Sequence, residues 1–169
     1  QIRHWPVTRG KLIVVPRANV AALAAGKRLM PGAQTDLANL NRNFPVKAAP
    51  DTARGELASA LWAFAQEQKP AWLVDLHEGV GTRGAGSKSV GSSAIVFPAP
   101  ETETAAAVML AAVNASITNR TNRFVQLRGP VAGSLARAAG GALLRKAPRH
   151  RMDEPGGGLV LLPMRGIGG

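Results

Sequence analysis

The chain has 169 residues, 46% of them apolar, which suits one ordinary domain with a core and excludes a disordered tail. With no cysteine, disulfides and thiolate metal sites are excluded, and no stretch approaches the roughly 20 apolar residues of a membrane span. A formal net charge of +11 raises nucleic acid as a partner, but the 21 Lys and Arg are dispersed and no aromatic residues interleave with them, which favours a scattered basic surface with some arginines serving an anionic ligand.

Residues 11–16 (Lys-Leu-Ile-Val-Val-Pro) have the length, β-branching and closing proline of a buried strand. The alanines of 17–30 favour helix, but Gly26 and Pro31-Gly32 end it early, so that segment stays open. Residues 31–52 carry Pro, Asn, Gly and Asp, the chemistry of a long functional loop. Asp51-Thr52 is a cap for a helix over 53–68, whose apolar face is expected at Leu57, Leu61, Phe64 and Ala65. Pro70 stops that helix, and 71–76 is the next buried strand.

A Gly- and Ser-rich loop is expected at 79–92, then a strand at 94–97 and a helix at 101–117 with acidic residues in its first turn. A strand at 124–127 and a helix at 134–144 complete the patterned part. Strands alternating with helices predict an α/β domain with a mixed, largely parallel sheet flanked by helices. We expect two parts: a patterned domain over 1–144, and an irregular Arg/Pro/Gly-rich tail over 145–169 in which only 159–162 has strand character. Gln1-Ile-Arg-His-Trp has the look of an interior segment, so further coding sequence upstream is expected. No signal-peptide pattern is present, which tilts the expected compartment towards the cytoplasm. Oligomeric state is left open.

His77 closes the run Asp75-Leu76-His77-Glu78 at the C-terminal end of a predicted central strand, the edge where ligands bind in open α/β sheets. Strand alternation puts Asp75 and His77 on one side and Leu76 on the other. A carboxylate beside a ligating imidazole fixes its tautomer. The bland alternative is a satisfied polar residue at a strand end. His4 has no acidic residue three positions on, and His150 lies in the tail.

Residues 39–45 read Asn-Leu-Asn-Arg-Asn-Phe-Pro. Arg42 can grip a carboxylate through two parallel N–H donors, and Asn41 can add an amide donor. Arg28, in another expected loop, is a second candidate guanidinium. The bland alternative is a solvated arginine among turn-forming asparagines.

Taken together, these segments resemble the zinc carboxypeptidase superfamily, in its succinylglutamate desuccinylase/aspartoacylase branch. In that family an HxxE-type motif gives two zinc ligands. A Pro-x-x-Asn stretch, an arginine, an Asp-Leu-Asn-Arg-x-Phe loop and an Asp-Leu-His third ligand follow. Here Pro16-Arg17-Ala18-Asn19, Arg28, the 39–45 loop and Asp75-Leu76-His77 occur in that order. The resemblance covers 10–80 well and 90–144 loosely. It implies a zinc carboxypeptidase-like fold in partial form and Zn2+ as cofactor. His77 would be the third ligand, with Arg28, Asn41 and Arg42 on the substrate carboxylate and scissile carbonyl. The implied reaction is hydrolysis of an amide bond in a carboxylate-bearing small molecule or peptide, with zinc activating water and a glutamate as general base.

Three departures stand out. No HxxE occurs in the chain, Asn39 replaces the family's Asp, and the region from Arg145 differs from the family's glutamate-bearing ending, with Glu154 a poor substitute. The resemblance therefore implies half of an active site, weak zinc binding and no activity for this chain alone. A non-catalytic anion-binding module and, third, a basic nucleic-acid-binding domain remain as alternatives. The sequons at Asn114 and Asn119 are expected to be chance occurrences.

Overall fold

The short β-branched runs become strands and the alanine-rich runs become helices. The computed structural model describes residues 6–8, 10–46, 52–77, 81–83, 89–142 and 158–164, the last seven and Ala142 by backbone alone. In chain order these form β1 (Lys11–Val14), α1 (Val20–Ala24), a 3-10 turn (Leu40–Arg42), α2 (Glu56–Gln68), β2 (Trp72–His77) and β3 (Ser93–Val96). α3 (Pro100–Ala115), a second 3-10 turn (Arg120–Asn122), β4 (Val125–Arg128), α4 (Leu135–Ala142) and β5 (Gly158–Met164) follow. The fold class is α/β, as expected.

Every strand pair among the described residues is parallel, in two sheets ordered β1-β5-β2 and β3-β4. β2 was expected to be central. In the described sheet it is lateral, and the central place goes to β5, which contains the expected 159–162 strand. Hydrophobic runs report burial, not neighbours, so strand order was not readable. Among the described residues β1 pairs only as far as Leu161, so at Pro163, which has no N–H to give, β5 is flanked by β2 alone.

Residues 17–30, left open by the sequence, contain α1. Asn19 caps it, its Oδ1 accepting from the Ala22 N–H at 3.1 Å, and Gly26 at φ 63° follows its end. α2 begins at Glu56 rather than 53. Gly55, at φ 77°, supplies the left-handed turn into it, and the Arg54 N–H is drawn away to the Asn43 carbonyl at 2.7 Å. Its buried face is Ala58, Trp62 and the expected Ala65; the other expected residues, Leu57, Leu61 and Phe64, are half-buried, so the face centres one position round. Trp62 has the largest side chain on that face and sets its direction. Lys69, at φ 44°, and Pro70 end the helix. Asp51, part of the expected cap, lies outside the described residues.

The principal core gathers Leu40, Phe44, Ala58, Trp62, Leu135 and Ala138, with Ile13, Val15, Leu57, Leu61 and Leu73 against them. It therefore joins the 3-10 turn, α2 and α4 to the inner side chains of β1 and β2. α3 packs on the second sheet, with Glu101 and Glu103 in its first turn as expected. At Gly140 of α4 an added Cβ would stand 2.3 Å from the Phe97 ring, so that glycine permits the close approach of α4 to the segment after β3.

Candidate functional site

The 39–45 loop is held by its own alternation. Leu40 and Phe44 are buried in the core, while Asn41 is half-buried and Arg42 exposed. Asn43, 2% exposed, donates from Nδ2 to the carbonyls of Leu37 at 2.9 Å and Asn39 at 3.0 Å, bracing the loop from within. Asn43 thus plays the turn-forming part that the bland alternative gave to all three asparagines; Asn41 does something else.

The Asn41 side chain reaches across to His77 and to α4. Its Oδ1 accepts from the Leu135 N–H at 2.9 Å, and its Nδ2 lies 3.1 Å from His77 Nε2. Leu135 is the first residue of α4, where backbone N–H groups lack intrahelical partners. Ser134 caps the same helix, its Oγ accepting from the Arg137 N–H at 3.3 Å. Gly133 sits directly on the loop. Its carbonyl accepts from the Phe44 N–H at 2.9 Å, and an added Cβ would fall 2.4 Å from the Arg42 carbonyl oxygen.

His77 is the last residue of β2, and Asp75 is on the same side, as alternation predicts. Asp75 Oδ2 lies 2.8 Å from His77 Nε2. The carboxylate side chain is 4% exposed and the imidazole 41% exposed. Asp75 Oδ1 is buried with no hydrogen-bond partner among the described residues. The arrangement is a half-exposed imidazole with a buried carboxylate behind one ring nitrogen and the other nitrogen away from it. That is how a metal-ligating histidine is usually held.

The four expected site residues fare differently. Asn41 and His77 are in contact. Arg42 is their neighbour in the chain, exposed, with Nη1 donating to the Asn41 carbonyl at 2.6 Å. Arg28 is exposed, and no hydrogen bond joins it to this group among the described residues. His4, Glu78, His150 and Glu154 lie outside the described residues. Sequence reasoning missed the contribution of Gly133 and Leu135. Gly133-Ser134 signals a helix start, but nothing local says that this start abuts a loop some 90 positions earlier.

The zinc that the family implies takes three or four donors. His77, with its carboxylate partner, suits one of these positions. Among the described residues, no group of three or more His, Cys, Asp or Glu could hold a metal ion. The residues in hand therefore do not by themselves make a zinc site, and no step is routed through the metal. No helix among the described residues is long and apolar enough to cross a membrane.

No curated protein and no solved structure matches the chain. Residues 2–131 match the family model for the succinylglutamate desuccinylase/aspartoacylase catalytic domain. That span includes Arg28, the 39–45 loop and the Asp75–His77 pair, and stops just short of Gly133 and α4. The chain belongs to the succinylglutamate desuccinylase/aspartoacylase catalytic domain family, a family of hydrolytic enzymes.

Proposed function

We propose that this chain supplies the third metal ligand and the anion-binding groups of a zinc-dependent hydrolase that cleaves an amide bond in a carboxylate-bearing substrate. The substrate class is an N-acyl amino acid, or a peptide with a free C-terminus. The observation that carries this reading is the meeting of Asn41 with His77. It brings the Asn-Arg loop to the end of a parallel strand where an imidazole is backed by a buried carboxylate.

In this reading Arg42 and Asn41 belong to the substrate side of the site, with Arg28 as a further guanidinium. Arg42 is exposed, and among the described residues it is held by a bond to the backbone rather than by an ion pair, so its fork can turn to a carboxylate. The metal's chemistry would be activation of a water, and its remaining donors are not among the described residues. One imidazole binds zinc weakly, so we expect this chain alone to bind it weakly and to be inactive. Calorimetric titration with zinc checks this; tight one-to-one binding contradicts it.

The anion-binding module without metal remains the second reading, because His77 is the one ligand the described site supplies. N-succinylglutamate, followed by backbone amide shifts, tests the substrate side. Both readings predict shifts at 41–42 that disappear in Arg42→Ala. The hydrolase reading adds that zinc strengthens this binding, whereas the module reading has zinc without effect. No shift at the loop at all contradicts both.

A further inference from the structure

His77 Nε2 faces two groups at once: Asp75 Oδ2 at 2.8 Å and Asn41 Nδ2 at 3.1 Å. One ring nitrogen serves one of them. As N–H it can donate to the carboxylate; as a bare lone pair it can accept from the amide. Burial decides between them. Asp75 has its side chain almost wholly buried and its Oδ1 unpartnered among the described residues, so the bond to His77 is the carboxylate's hydrogen bond there. A bare Nε2 would set a lone pair against that buried anion. Asn41 loses less, because its Oδ1 keeps the Leu135 N–H and its half-buried Nδ2 can turn to water.

We infer that Asp75 is the positioning residue for His77, with Asn41 as the reserve partner of the same ring nitrogen. Asp75 holds the ring as the Nε2–H tautomer, so that the Nδ1 lone pair is the one presented outward. Asn41, tied to the first turn of α4 through its Oδ1 and the Leu135 N–H, leaves Nδ2 beside that ring edge and stands by as the donor that takes over Nε2 if the carboxylate is removed. The inference rests on the reading of His77 as a ligand only in saying what Nδ1 is for; the tautomer itself is a property of the metal-free chain.

Imidazole nitrogen spectra of the chain labelled with 15N-histidine test it. They are recorded at about pH 9, where an ordinary imidazole is neutral, with His77→Gln to assign the signals. The wild type should show the proton on Nε2 of His77. Asp75→Ala should move it to Nδ1, with Asn41 now donating to Nε2. Asn41→Ala should leave the tautomer alone and speed hydrogen exchange at the Leu135 amide by roughly tenfold, the loss of one hydrogen bond. A wild-type proton on Nδ1 overturns the inference, and needs no variant to fold. So does an Asp75→Ala chain that folds and keeps Nε2–H. Adding zinc separates the two readings: an Nε2–H ring whose Nδ1 signal ignores zinc keeps the positioning role and retires the ligand role.

Discussion

Gly133→Ala attacks the joint between the Asn-Arg loop and α4. Gly133 has φ 77°, which costs an alanine about 1 kcal/mol. Its Cβ would stand 2.4 Å from the Arg42 carbonyl oxygen and 2.8 Å from the carbonyl carbon, backbone atoms with no side-chain freedom to swing aside. An ordinary C···O contact is about 3.4 Å, so the two segments must part by about 1 Å. The parting strains two bonds that hold them: Phe44 N–H to the Gly133 carbonyl and Leu135 N–H to Asn41 Oδ1, both 2.9 Å. Leaving one such buried group unsatisfied costs about 1–3 kcal/mol. The expected total is roughly 2–4 kcal/mol, read as a fall in the urea midpoint at unchanged slope. Gly129→Ala is the control. Gly129 has φ 79° but nothing within 4 Å of an added Cβ, so only the backbone cost of about 1 kcal/mol applies. Equal losses in the two variants would refute the close packing of loop on helix start.

Asn43→Asp turns an amide donor into a carboxylate facing the carbonyls of Leu37 and Asn39. A urea melt should show at least about 3 kcal/mol lost, as for a buried charge left unpaired. Lys69→Gly relieves a left-handed residue at the end of α2 and should add roughly 0.5–1 kcal/mol in the same assay. Asp36→Asn removes an ion pair with Arg54 in which both side chains are more than half exposed, so a midpoint change worth more than about 0.5 kcal/mol would be unexpected.

Local chemistry made the elements legible. Strand-length apolar runs, the stop at Pro70 and the acidic first turn of α3 all mark real features. The same-side placement of Asp75 and His77 followed from the two-residue strand period alone. What stayed hidden depends on distant neighbours. Nothing in Trp72–His77 announces that β5, over 80 positions later, pairs beside it. The face of α2 includes Ala65 as expected, with Leu57 and Leu61 at its margin against the core, but it centres one position round because the packing turns on Trp62. Asn41 and Asn43 are alike as residues. Only the fold separates the one that braces its own loop from the one that reaches His77 and Leu135.

On the function proposed above, this chain would present His77 through Nδ1 as one ligand of a metal, beside a loop that binds the substrate carboxylate. Zinc titration followed on the 15N signals of the His77 ring tests it most directly. The account predicts weak, rapidly exchanging binding in which Nδ1 moves and the Nε2–H signal stays on its carboxylate partner. A response at Nε2, or no response at His77 at concentrations that shift His4 and His150, would contradict it.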